Sequence, residues 1–286
     1  MAECKTCFRH CRIEEGALGF CGARTARDGR VEAFNYGRIT GMALDPIEKK
    51  PLQRFCPGSL ILSVGSFGCN LRCPFCQNSE ISWSEEAKHL ADRAETVSPE
   101  GLVSIAERLK SRGNIGIAFT YNEPLIGYEY VRDTGKLAKE KGLRTVMVTN
   151  GTAELSVLEE IWPYIDAMNI DLKGFTQGYY RDLLKGDLEQ VKAFITEAVK
   201  HCHVELTTLI IPGENDTEEE MRELSGWVGG LRNPGGEGVP LHITRFFPRF
   251  RMTDRDPTDV ALIRRLAEIA REKAEFVYVG NCRLYK

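Results

Sequence analysis

A chain of 286 residues with 42% hydrophobic and 28% charged residues has the composition of a folded globular protein, not of a disordered or fibrous one. Its net charge of −3 gives no electrostatic footprint for nucleic acid or for an anionic membrane surface. No apolar run approaches the length of a membrane span, and the opening MAECKTCFRHCRIEEG lacks the apolar core of a secretory signal. The expected location is therefore the cytoplasm, with no nucleic-acid or membrane partner. Ten cysteines are more than packing requires, and in a reducing compartment they read first as metal ligands. Cys4, Cys7, Cys11 and Cys21 form one group and Cys69, Cys73 and Cys76 another; Cys56, Cys202 and Cys282 stand alone as structural thiols.

Along the chain, residues 1–30 are rich in Cys, Arg and Gly and show little periodicity. Such a segment cannot hold a core by burial alone and reads as a metal-stapled lobe. Residues 31–56 suggest one or two short strands and a Pro-punctuated connection. From residue 57 onward, short apolar strands alternate with amphipathic helices. The strands are LILSVGS (60–66), GIAFT (116–120), RTVMVTN (144–150), AMNIDL (167–172), VELTTLII (204–211), LHITRF (241–246) and, less regular, FVYVG (276–280). Helices are expected near 98–112, 125–142, 153–162, 187–202, 217–229 and 258–274, the first with Ser98 as N-cap and Pro99 at its first position. Repeated strand–helix units imply parallel pairing with right-handed crossovers. The expected fold is α/β, a partial (β/α)6-type TIM barrel over residues 57–286, with a small cysteine-rich lobe and its connecting strands at 1–56. In such barrels the chemistry sits at the C-terminal ends of the strands.

The stretch GCNLRCPFCQN (68–78) follows the first barrel strand and carries three thiols and no fourth. Four thiolates would close a tetrahedral zinc or fill a [4Fe–4S] cluster; three leave a position open. An open zinc site normally brings a His or carboxylate close by, and the nearest His here is His89. A four-iron cluster with one bare iron accounts better for the trio, against the alternatives of unrelated buried thiols or half of a zinc site.

With Phe75 just before its last Cys, the C-x3-C-x2-C loop resembles the signature of the radical S-adenosylmethionine (SAM) superfamily. The resemblance continues through TYNEP (120–124), VTNG (148–151), NIDLK (169–173), LIIPGEND (209–216) and HITRFFP (242–248), in the order seen in glycyl-radical activating enzymes. With DPIEKKPL (45–52) and VYVGN (277–281) added, the chain is most similar to the AmmeMemoRadiSam-system radical SAM family, also described as pyruvate formate-lyase activating-enzyme-like. The resemblance implies an oxidoreductase. A [4Fe–4S] cluster on Cys69, Cys73 and Cys76 would chelate SAM and cleave it reductively to a 5′-deoxyadenosyl radical, which abstracts a substrate hydrogen. It also implies an electron donor such as flavodoxin or ferredoxin; it leaves the substrate open, with a glycyl residue on a partner protein as one candidate and a small molecule or another protein side chain as the alternative.

The same resemblance suggests the cofactor contacts. Where the superfamily often has Gly-Gly-Glu to receive the SAM ammonium, this chain has Tyr121 and Asn122 before Glu123; capping of the next helix is the alternative role for Glu123. Thr149 and Asn150 suit the ribose or carboxylate of SAM, and an ordinary strand-to-helix turn is the alternative. Asp171 and Lys173 point to one side of their strand; facing the lumen, Asp171 would bind a hydroxyl or a cation and Lys173 a carboxylate, otherwise they form a surface pair. Arg245 is a candidate anion ligand. His242, at its strand's start, reads as structural, and HCH (201–203) lies at the end of the barrel away from the chemistry.

Cys4, Cys7, Cys11 and Cys21 are a complete four-thiolate set, open to zinc or to a second [4Fe–4S] cluster; neighbouring Arg9, His10, Arg12 and Arg24 favour the cluster by offsetting its charge. The rival to the enzyme reading is a non-catalytic iron–sulfur electron-transfer or metal-binding module.

Overall fold

The computed structural model describes residues 1–282, apart from the side chains of Lys88 and Asp92. Apolar runs of four to eight residues form the barrel strands: β1 (Gly41–Pro46), β2 (Leu60–Gly65), β3 (Asn114–Phe119), β4 (Arg144–Thr149), β5 (Ala167–Asp171), β6 (His203–Ile210), β7 (Leu241–Arg245) and β8 (Val277–Gly280). They make one eight-stranded sheet in the order β8-β7-β6-β5-β4-β3-β2-β1. Strands β2 to β8 are parallel, and β1 runs antiparallel to β2 with Gly41 opposite Gly65 and Pro46 opposite Leu60. The crossovers carry helices α1 (Pro99–Arg108), α2 (Tyr128–Glu140), α3 (Leu155–Ile161), α4 (Leu188–Ala198), α5 (Glu218–Val228) and α6 (Val260–Arg271). The architecture is the expected partial barrel. The difference is at its edge: β1 comes from the segment grouped above with the lobe, so the barrel sheet recruits a strand from before residue 56.

Local chemistry sets the helix starts. Ser98 caps α1 by accepting from the Gly101 amide, with Pro99 inside the first turn; Asp187, Thr217 and Asp259 cap α4, α5 and α6 in the same way. Alternate strand residues face outward and pack under the helices, as Leu62, Ile117, Met147, Ile170, Leu206 and Ile243 do. The inward set is small or polar near the mouth and apolar at the floor, where Ile61, Ala118, Val146 and Ala167 meet Ile47 and Leu52 of the connection after β1. That connection closes the floor. Gln53 and Arg54 donate their backbone N–H groups to the buried Glu205 carboxylate at 3.0 and 2.8 Å, and Asn169 donates to the Pro51 carbonyl at 2.9 Å.

The lobe is built from short hairpins, Ala2–Glu3 with Arg12–Ile13 and Arg24–Arg27 with Arg30–Ala33. Its bonds to the barrel rim include three from separate parts of the lobe. Arg24, 5% exposed, pairs with Glu129 of α2 at 2.7 Å. Glu154 before α3 donates its backbone N–H to Thr6 O at 3.0 Å, and Asn35 reaches the Phe67 carbonyl at 3.1 Å. Among the described residues, no helix is long and apolar enough to cross a membrane.

Candidate functional site

After β2 the chain turns through Gly68 at φ +92°. A Cβ there would lie 2.7 Å from the Cys21 carbonyl oxygen and 2.8 Å from Ala23 Cβ, so the position accepts glycine only. The Cys69 amide donates to that same Cys21 carbonyl at 3.1 Å. Two further backbone bonds brace the loop: Arg72 N–H to Leu184 O of a π-helical turn (Tyr179–Leu184), and Arg251 N–H to Pro74 O, each 2.9 Å. Held this way, Cys69, Cys73, Cys76 and Phe75 line one wall of a cavity of about 1610 Å³ at the C-terminal ends of the strands. Thr149, Asn150, Asp171, Lys173 and Arg245 line it as well.

Each side chain has a defined partner set. Glu123 lines the cavity but is 3% exposed and committed to internal bonds. It accepts from Leu125 N–H at 3.0 Å, capping the short helix that follows, from Thr149 Oγ1 at 2.6 Å and from Asn150 N–H at 2.8 Å. Thr149 and Asn150 are therefore fixed at the mouth by Glu123. Asn150 Nδ2 lies 3.7 Å from Cys69 Sγ and donates to Asn70 Oδ1 at 3.0 Å. Asp171 and Lys173 do face the lumen, as an ion pair of 2.7 Å. Arg245, also on the cavity lining, donates through Nε to Thr258 O at 2.7 Å. In place of two glycines, Tyr121 takes φ +75°, donates its hydroxyl to Asp45 at 2.9 Å, and accepts at its carbonyl from Asn78. Asn122 ties the loop down by accepting from Ser66 N–H and donating to the carbonyls of Phe67 and Gly68.

The electrostatics suit an anionic cluster. Burial pushes the Cys73 thiol up to about 12 and the Cys69 thiol well above its ordinary value, while Lys173 pulls Cys73 the other way. Burial also disfavours the Lys173 ammonium, but Asp171 and Cys73 more than offset it and hold that pKa above the usual lysine range. Desolvation raises Glu123 to about 7 despite its three donors. The raised Cys69 and Cys73 thiols, with Lys173 and Arg72 close by, belong to a ligand set that a cationic iron–sulfur core would deprotonate, leaving a net anionic thiolate cluster beside those two cations.

The comparisons with known proteins decide the family. The family model for the Radical SAM superfamily matches residues 63–225, more than half of the chain. The chain belongs to the radical SAM superfamily. An uncharacterized protein of Methanocaldococcus jannaschii is 38% identical over 97% of this chain and 80% of its own length. The pyruvate formate-lyase-activating enzyme of Clostridium pasteurianum is 29% identical over 58% of this chain and 68% of its own. A radical SAM methyltransferase from Sphaerobacter thermophilus has the same fold, with TM-score 0.59 at 16% identity, covering 80% of this chain and 68% of that one. Radical SAM membership brings with it a [4Fe–4S] cluster and SAM, and the cavity's three thiols and its lysine, arginine and amide donors fit that pair.

Other expected residues fall elsewhere. Cys4, Cys7 and Cys21 are buried in the lobe and Cys11 is half-buried, all outside the cavity lining. Among the described residues, no three His, Cys, Asp or Glu side chains are placed to close on a single metal ion, and this holds for the barrel triad as for the lobe's four. His10 and Arg24 pair with Glu154 and Glu129. In HCH, His201 stacks on Trp162 at 3.5 Å, Cys202 is buried, and His203 joins Glu205. His242 is both structural, at 2.6 Å from Glu205, and a cavity-lining residue. Sequence reasoning missed Asn70, Arg72 and Glu205. The first two sit inside the C-x3-C-x2-C segment, where proximity was the available signal. Glu205 was visible as a charge in the middle of an apolar strand.

Proposed function

We propose that this radical SAM protein is an enzyme that cleaves SAM reductively and abstracts a hydrogen atom from a side chain or glycyl residue of a partner protein, using an electron from flavodoxin or ferredoxin. The carrying observation is the convergence of Cys69, Cys73 and Cys76 with Thr149, Asn150, Asp171, Lys173 and Arg245 on one cavity at the strands' C-terminal ends. The cluster and SAM, when bound, supply the electron-driven cleavage to methionine and a 5′-deoxyadenosyl radical.

The chain's own residues bind and orient. Cys69, Cys73 and Cys76 would hold the cluster, and the Asn150 amide, directed at Cys69 Sγ, would stabilise negative charge on that sulfur. Lys173 and Arg245 are the cations available to a carboxylate. Glu123 positions Thr149 and Asn150 and is left with little capacity to receive an ammonium directly, whereas Asp171, part-exposed in the lumen beside Lys173, is the better-placed carboxylate. Phe75, 5% exposed, keeps water from the thiol wall. The similarity to an activating enzyme named for pyruvate formate-lyase supports the protein-substrate reading.

The test is anaerobic. The full chain is reconstituted with iron and sulfide, reduced and given SAM. 5′-Deoxyadenosine should form, and Cys69→Ala, Cys73→Ala and Cys76→Ala should each abolish it. A loaded cluster whose spectrum SAM leaves unchanged, with no 5′-deoxyadenosine, would identify a non-catalytic electron-transfer module instead.

A further inference from the structure

We propose that Cys4, Cys7, Cys11 and Cys21 hold a second iron–sulfur cluster, seated against the Cys69–Cys76 loop so that electrons reach the barrel site through the lobe. The proposal rests on the reading of the barrel triad given above.

The four thiols lie in one lobe, three of them buried, and although no three of them converge on a single ion, a cubane takes one thiolate at each of four separate irons. The Cys4 amide donates to the Cys11 carbonyl at 2.8 Å, and the chain reverses at His10, φ +40°, whose amide bonds to Cys7 O at 3.1 Å. Cys7 lies near enough to Cys4 and Cys11 to feel their charge, as Cys21 does to Cys4 and Cys7. Four thiolates are the full complement of a cubane.

The cations nearby match two anionic centres. Arg9 lies beside Cys7, Cys11, Cys21 and Cys69, and Arg72 beside Cys69, Cys21 and Cys73. The Phe20 ring is sandwiched between their guanidinium groups, 3.5 Å from Arg9 and 3.8 Å from Arg72. Their hydrogen bonds run to backbone carbonyls, Arg9 Nε to Asn70 O at 2.9 Å and Arg72 to Cys69 O at 2.8 Å. Among the described residues, neither meets a carboxylate within ion-pair distance. Two half-buried guanidiniums like-charged across one ring are costly unless negative charge lies on both sides, and the two thiol sets are what lies there.

The sets are also joined through bonds. Cys21 O accepts from the Cys69 amide. The Asn70 side chain lies beside the Cys7 thiol and accepts from Asn150, whose amide faces Cys69 Sγ. Zinc on the same four thiolates would be redox-silent, whereas an iron–sulfur centre there offers the electron a path to the barrel site. The transfer is of one electron. A reduced flavodoxin or ferredoxin loses it, the centre on Cys69, Cys73 and Cys76 gains it, and no covalent bond or proton is exchanged.

The experiment uses the full chain, anaerobically reconstituted. Metal analysis should give about eight irons per chain and no zinc, falling to about four in Cys4→Ser/Cys7→Ser. That variant should keep the change in the barrel cluster's electron paramagnetic resonance spectrum on adding SAM. Its barrel centre should be reduced by flavodoxin or ferredoxin about an order of magnitude more slowly than in the parent. Cys11→Ser, which leaves the three buried thiols in place, guards against a folding artefact: with unchanged circular dichroism it should still lose the second signal. One zinc with four irons, four irons alone in the parent, or equal reduction rates with and without the lobe centre would overturn the proposal. Eight irons with no response to SAM would sink the barrel reading and leave the second site standing.

Discussion

Glu205 has no exposed side-chain surface, yet its surroundings favour the carboxylate over the acid. Burial favours its neutral form, but His203 at 3.0 Å, His242 at 2.6 Å and the Gln53 and Arg54 amides hold its pKa down to about 2 from 4.5. A depressed carboxyl pKa stabilises the fold above the unfolded value and ceases to do so as pH falls through the folded one. The shift corresponds to on the order of 3 kcal/mol, present above about pH 4.5 and lost toward pH 2. In urea unfolding of the metal-free chain, Glu205→Gln should be less stable than the parent at pH 7, and the gap should close across that window. A gap independent of pH would show that the carboxylate's charge is not what matters. Glu205 is visible in the sequence as a charge within an apolar strand, but its donors are not, two of them coming from a connection some 150 positions away.

At the scale of elements, the connection after β1 does two jobs. Ile47 and Leu52, neither with exposed surface, seat on Ile61, Ala118, Val146 and Ala167, and the backbone beyond them caps Glu205. Leu52→Ala should cost about 2–5 kcal/mol, read from the urea midpoint at constant slope; a change under about 0.5 kcal/mol would mean that the floor refills without it. The parallel strands and their helices were legible because period-two and period-3.6 patterns reach the local chain directly. β1 was not legible as a barrel strand. Its sequence, GMALDP, carries no alternation strong enough to choose a partner, and Met42 and Ala43 stay exposed on the sheet's edge. The π-helical turn that braces the thiol loop was equally hidden, since its geometry is set by what packs against it and not by propensity.

At the scale of the whole molecule, the lobe and the barrel are joined by both buried and exposed contacts, and Arg24–Glu129 is the most enclosed ion pair among them. Glu129→Ala would leave a guanidinium 5% exposed without its carboxylate, a loss of about 3–5 kcal/mol. Limited proteolysis should then cut the lobe first while the barrel resists; simultaneous loss of both would mean that they unfold as one unit. The thiol triad and its place after β2 could be read from spacing alone. The juxtaposition of the lobe with the triad could not, because nothing local records which rim a separate segment lands on. Gly68 carries the consequence. With no side chain there as a spacer, the backbones of the two thiol loops rest against each other across a missing methyl group. Neither loop can swing aside to admit a cofactor or swap its neighbour without dragging the other, so any loosening of the amino-terminal hairpins is felt at once by the sulfur atoms below them.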